Sequence, residues 1–147
     1  MRCLVTGGAG FIGSNLVDRL LEDGHEVKVL DNLSTGNLDN LKNVKNKIKF
    51  IQIDIFKDSI ELFEAFKNID WVFHLAGIAD IVPSIKEPKK YLNSNVIGTF
   101  NVLEASRKAK IKKFFYAASA SCYGIPKKYP TDEKSETNPQ YPYALSK

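Results

Sequence analysis

The chain has 147 residues, 44% of them hydrophobic and 26% charged, with a formal net charge of +4 at pH 7. That is one domain's length with enough apolar side chains for a buried core, so a disordered chain is excluded. The basic excess is mostly lysine scattered among acids, with Arg2, Arg19 and Arg107 the only arginines, which argues against a nucleic-acid partner.

The first element is Arg2 to Thr6 (RCLVT), a short apolar run bounded by glycines and predicted as a buried strand. Ile12 to Glu22 carries Ile12, Leu16, Val17, Leu20 and Leu21 at helical spacing, and Gly24 stands where such a helix ends. Glu26 to Leu30 reads as a second strand, followed by the polar loop DNLSTGN, and Lys49 to Ile53 as a third. Lys42, Lys45, Lys47 and Lys49 read as a solvated loop and strand edge. Asp58 with Glu61 has the pattern of a capping box opening a helix that runs to about Lys67. Asp70 to Leu75 is the fourth strand. After a loop, Pro88 suits the first turn of a long helix ending near Lys110. Lys113 to Ala118 is the fifth strand; a long irregular segment follows, and a last helix begins near Tyr143. Strands alternating with helices imply right-handed crossovers and a parallel sheet covered on both faces, a doubly wound α/β domain of the Rossmann type.

The cysteines, Cys3 and Cys122, have no metal-ligand partners nearby, so neither a disulfide scaffold nor a metal site is expected, and Cys3 reads as a small core residue. No apolar run approaches the ~20 residues of a membrane span, and the N-terminus enters a strand directly, so no membrane partner and a cytoplasmic location are expected.

The segment TGGAGFIG joins the first strand to the first helix. It can be read as G-x-G-x-x-G through Gly8, Gly10 and Gly13, or as G-x-x-G-x-x-G through Gly7, Gly10 and Gly13. Glycines alone also make ordinary turns. Between a strand and a helix, however, they let backbone N–H groups and the positive helix end approach a pyrophosphate. Asp31, at the end of the second strand, is placed to accept hydrogen bonds from ribose hydroxyls, and its charge would repel a 2′-phosphate. The expected cofactor is therefore NAD rather than NADP.

Tyr143 and Lys147 lie four residues apart, on one face of a helix if one forms. TGGAGFIGSN, DNLSTG, Asp54-Ile55, HLAG from His74, NVIGT from Asn95, AASASCYG from Ala117 and YALSK from Tyr143 occur in that order. With these motifs the whole chain resembles the extended short-chain dehydrogenase/reductase family, in particular its NAD-dependent nucleotide-sugar epimerases and dehydratases.

The resemblance implies roles. Tyr143 would be the base that takes a proton from a sugar hydroxyl, Lys147 would hold the nicotinamide ribose and stabilise the tyrosinate, and Ser119 would hydrogen-bond the reacting oxygen. Gly7, Gly10, Phe11, Ile12 and Gly13 would meet the pyrophosphate. Asp31, Asn32, Leu33, Ser34, Thr35 and Gly36 would border the adenosine, and Asp54 and Ile55 would flank the adenine. Leu75, Ala76, Gly77 and Ala79 would line the cofactor near its pyrophosphate and ribose, with Ser94 a further contact. ADIVPSI, from Ala79 to Ile85, resembles the loop that meets the substrate; its Ser84 reads equally as a sugar or cofactor contact and as a turn residue. A free phenol titrates near pH ~10, so a tyrosine base working near neutrality needs about 4 kcal/mol of preferential anion stabilisation. A lysine ammonium and a cationic nicotinamide can supply it.

In the family's dehydratases the catalytic Thr is followed by an Asp-Glu pair, and the decarboxylases resemble them in a nearby Glu. Here Ala120 and Ser121 stand in those places, and neither is a general acid. The expectation is a UDP-sugar 4-epimerase; another nucleotide-sugar oxidoreductase or dehydratase, or a non-catalytic NAD-binding module, is the alternative. Family members typically run to twice this length, so the residues are expected to form the N-terminal part of a longer enzyme, without the last strands and the substrate domain. Alone, the chain would hold NAD weakly and turn over little; at full length a homodimer is expected.

Overall fold

The apolar runs become strands in the computed structural model, which describes residues 1–57 and 59–147. They are β1 (Arg2–Thr6), β2 (Glu26–Asp31), β3 (Ile48–Gln52), β4 (Trp71–His74) and β5 (Lys113–Tyr116). All neighbours pair in parallel, in the order β3-β2-β1-β4-β5. The central strands β1 and β2 are buried on both faces, their alternate residues feeding two cores, whereas β5 leaves Phe115 and Tyr116 exposed. Leu4, Leu30 and Val72 meet Leu62, Phe66, Val102 and Ala105 on one face. Cys3, Val5, Val27 and Val29 meet Val17, Leu20 and Leu41 on the other.

The helices are α1 (Phe11–Glu22), α2 (Ile60–Ala65), α3 (Ile81–Lys86), α4 (Pro88–Tyr91), α5 (Gly98–Lys108) and α6 (Pro142–Leu145). Helix α1 turns Gly13, Ser14, Val17 and Leu20 inward, whereas Ile12, which the periodicity places in the stripe, is 67% exposed. Gly24, at φ +76°, ends it, its N–H on the Leu21 carbonyl and that of His25 on the Leu20 carbonyl. The Asp58 half of the expected capping box lies outside the described residues. Helix α2 is capped by Ser59, whose hydroxyl accepts the Leu62 N–H at 3.2 Å, and it ends at Ala65 rather than Lys67, where the Lys28 ammonium donates to the Ala65 carbonyl at 2.7 Å.

Two expectations are corrected. The stretch from Ala79 to Ile85 is expected as a loop from the resemblance, but α3 forms over Ile81–Lys86; Pro83 is tolerated there because a proline in the first turn forfeits an N–H that has no helical partner anyway. The long helix from Pro88 is not uniform, because α4 and α5 are joined by the π-helical stretch Leu92–Ile97. No helix among the described residues is long and apolar enough to cross a membrane.

Candidate active site

The register brings the carboxyl ends of the strands level, with Thr6 opposite Leu30 and His74, and His74 opposite Tyr116. Strand order reverses between β1 and β4, so the loops leaving those strands diverge and open a crevice. One cleft there is lined by Gly7, Gly10, Asp31, Asn32, Ser34, Thr35, Asp54, Ile55, Leu75, Ala76, Gly77 and Ser94. A second continues from it past Phe11, Ile12, Gly13 and Ala79 to Tyr143 and Lys147.

The glycine loop is the Gly7, Gly10, Gly13 reading. Gly7 has φ +71°, and a Cβ there would stand 2.7 Å from the Ala76 nitrogen. Gly13 packs against the Gly7 carbonyl so closely that a Cβ would overlap it. The Gly10 N–H donates to the Gly7 carbonyl at 3.1 Å, and Ser14 N closes the first helical bond on Gly10. Helix α1 has neither a side-chain cap nor an acid in its first turn, so its positive end lacks an internal anion where it borders the cleft. That geometry fits a pyrophosphate.

Asp31 is buried at the end of β2. One carboxylate oxygen accepts the Ala9 N–H at 2.9 Å and the other the Leu33 N–H at 2.8 Å, so the acid expected for a ribose also ties the glycine loop to the loop after β2. Each oxygen keeps a lone pair for a hydroxyl. Leu33 sits at φ 61° and packs on the core beneath this loop. A Cβ on Gly36 would lie 3.0 Å from both Asp31 oxygens, so glycine there leaves the carboxylate approachable. Ser84 is fully buried inside α3 rather than in a turn, and its hydroxyl donates to the Ile81 carbonyl at 2.6 Å.

Sequence reasoning missed the polar side chains of the helical segment that runs from Leu92 through α5. Buried Asn95, in the π-helical stretch, accepts the Ile78 N–H at 2.8 Å, donates to the Ile78 carbonyl at 3.0 Å and reaches Ser146 Oγ at 2.9 Å. It thereby binds the loop after β4 to the helix that carries Tyr143. Asn101 donates to the carbonyls of Ile55 and Phe56 at 2.9 and 3.1 Å, fixing the loop expected beside the adenine. Thr99 Oγ1 lies 2.8 Å from His74 Nε2. The available signal was polar residues on the same helix face as Val102 and Ala105, which cannot be solvated there.

At the far end, Pro142 opens α6, and Tyr143 sits in its first turn with its ring edge-on to Tyr91, centroids 6.3 Å apart. Ser119 caps the 3₁₀ turn Ala120–Tyr123, its hydroxyl accepting the Ser121 N–H at 3.2 Å. That turn packs against α6 through Cys122, whose Sγ lies 3.7 Å from the Ala144 carbonyl. The Lys147 ammonium stands 4.9 Å from the Tyr116 ring centroid. Burial draws its pKa below the ordinary lysine value, with Cys122 opposing. His74, buried at the floor, is pushed down to about 4 by desolvation first and the Lys147 charge second, so it is neutral near pH 7.

The model of the NAD dependent epimerase/dehydratase family matches residues 3–147. A UDP-glucose 4-epimerase from Mycolicibacterium smegmatis is 45% identical over 100% of this chain and 48% of its own length. The solved UDP-glucose 4-epimerase of Thermus thermophilus in complex with NAD superposes with a TM-score of 0.91 at 37% identity, covering 99% of this chain and 47% of that one. A UDP-N-acetylglucosamine 4-epimerase from Methanobrevibacter ruminantium, in complex with UDP-N-acetylmuramic acid, gives 0.92 at 35% identity, covering 99% and 46%. The chain spans about half the length of the curated relatives it matches. A family match that runs through nearly every residue leaves one placement: the chain belongs to the NAD-dependent epimerase/dehydratase family.

Proposed function

We propose that this chain is the NAD-binding portion of a UDP-sugar 4-epimerase whose remaining part holds the nucleotide. The observation that carries the reading is the continuous crevice running from the glycine loop and Asp31 to Tyr143 and Lys147. Asp31 receives the adenosine ribose, the first turn of α1 the pyrophosphate, and Lys147 the nicotinamide ribose. When bound, NAD supplies reversible hydride transfer at the sugar C4. Tyr143 takes the proton of the C4 hydroxyl as the carbon is oxidised and returns it after the keto sugar has turned its other face. Ser119 hydrogen-bonds the reacting oxygen.

Ala120 and Ser121 favour epimerisation over elimination, because the 3₁₀ turn beside α6 carries no carboxylate to shuttle a second proton. Half-exposed Val96, Phe100 and Leu103 suit a helix-on-helix homodimer of the whole protein. The test supplies UDP-galactose and NAD and follows UDP-glucose, on this chain and on a polypeptide of the relatives' length. The longer form is expected to epimerise and its Tyr143→Phe variant to stop while still holding NAD; this chain alone is expected to turn over little. Undiminished turnover by Tyr143→Phe would overturn the mechanism. NAD binding with no sugar chemistry in the longer form would favour a non-catalytic module, and loss of water from the sugar a dehydratase.

A further inference from the structure

Across the carboxyl ends of β1, β4 and β5, Thr6, His74 and Tyr116 stand side by side in register, a row with no part in the chemistry above. Thr6 Oγ1 lies 2.6 Å from His74 Nδ1, and Thr99 holds the other ring nitrogen, so the imidazole is fixed from both sides. His74 stacks on Tyr116 with centroids 5.8 Å apart and planes 23° from parallel. Tyr116 then touches Lys147 at both ends of the residue. Its ring faces the ammonium at 4.9 Å, and its hydroxyl donates to the Lys147 main-chain carbonyl at 3.3 Å. Among the described residues no Asp or Glu side chain is ion-paired with Lys147. Lys147 lies just beyond the end of α6 rather than on one helix face with Tyr143; the groups around it are the Cys122 thiol, the Tyr143 phenol lining the same cleft and the neutral imidazole behind Tyr116. An aromatic face is the attraction left to hold a cation there.

We propose that Tyr116, braced by His74, is a positioning residue that fixes the Lys147 ammonium beside the cleft. The use of Lys147 for a ribose rests on the function proposed above; its placement by Tyr116 does not. The test reads Lys147 itself, by NMR of the protein labelled with ¹³Cε-lysine, with the signal assigned through Lys147→Arg. In the wild type the Lys147 ε-methylene should carry a ring-current shift and relax as an ordered group. Tyr116→Phe should keep both. Tyr116→Leu should lose the shift, with its ε-methylene moving as freely as those of surface lysines such as Lys45. Should the Leu variant not fold, Tyr116→Ile supplies a β-branched strand former in its place. An unshifted or already mobile Lys147 in the wild type, or an ordered one in a folded Leu or Ile variant, overturns the proposal whatever NAD does. Failure to bind NAD would instead sink the function and leave this placement standing.

Discussion

Acidification should weaken the fold in a pH window that belongs to His74. Its folded-state pKa is lowered from the ordinary 6.5 to about 4, so between those values the unfolded chain binds a proton that the folded one refuses. Stability should therefore be undiminished by this residue above pH ~6.5, fall as the pH drops, and level off near the folded value. At ~1.4 kcal/mol per pH unit the full loss is about 3 kcal/mol, a large part of the ~5–15 kcal/mol typical of a domain. Other shifted acids act lower. Asp70 is held well below the usual carboxylate range by the Arg2 backbone N–H, then by Lys112 and the Arg2 side chain. Glu104 is lowered by Arg107. Their contributions are lost only as the pH falls through the carboxylate range. Urea unfolding followed by the fluorescence of Trp71, the sole tryptophan, at steps from pH 7.5 to 4.5 measures the slope. His74→Asn should start lower at pH 7 and be nearly flat across the window. A wild type that does not weaken, or an Asn variant with the wild-type slope, would refute the assignment.

Gly13→Ala should cost about 1–3 kcal/mol and abolish NAD binding, since the new methyl must displace the Gly7 carbonyl; Gly24→Ala, at φ +76° with open space around it, should cost ~1–2 kcal/mol and leave NAD affinity alone. A calorimetric titration of both variants distinguishes them, and equal NAD affinity in the two would sink the cradle argument. Asn95→Leu should destabilise by about 2–4 kcal/mol, because it strands both polar groups of Ile78; a loss under ~1 kcal/mol in urea unfolding would mean that water replaces them.

What the sequence made legible was local. The glycine loop and Asp31 could be read because a strand, a turn and a helix start are contiguous in the chain, although the choice between Gly7 and Gly8 as first glycine needed the approach of Ala76. The strands were found with edges off by a residue or two: β3 begins at Ile48, its pairing partner in register being Val27, which no propensity contains. Helix α3 went unread because the resemblance marks Ala79 to Ile85 as a loop. The π-helical stretch Leu92–Ile97 interrupts the helix, so the face shared with Val102 and Ala105 signalled that Asn95 turns inward but not that it would meet Ile78 and Ser146. His74 stood out only as the first residue of HLAG, which carries no sign of its partners. Its role exists only across strands, in partners 68 residues away along the chain at Thr6 and 25 away at Thr99.

The most direct measurement of the central claim, that these residues build an NAD site, is a calorimetric titration of the protein with NAD and, separately, with NADP. NAD should bind, weakly but measurably. NADP should bind at least about tenfold more weakly, a gap of ~1.4 kcal/mol, because Asp31 faces its 2′-phosphate. No heat with NAD, or NADP bound as tightly, would contradict it.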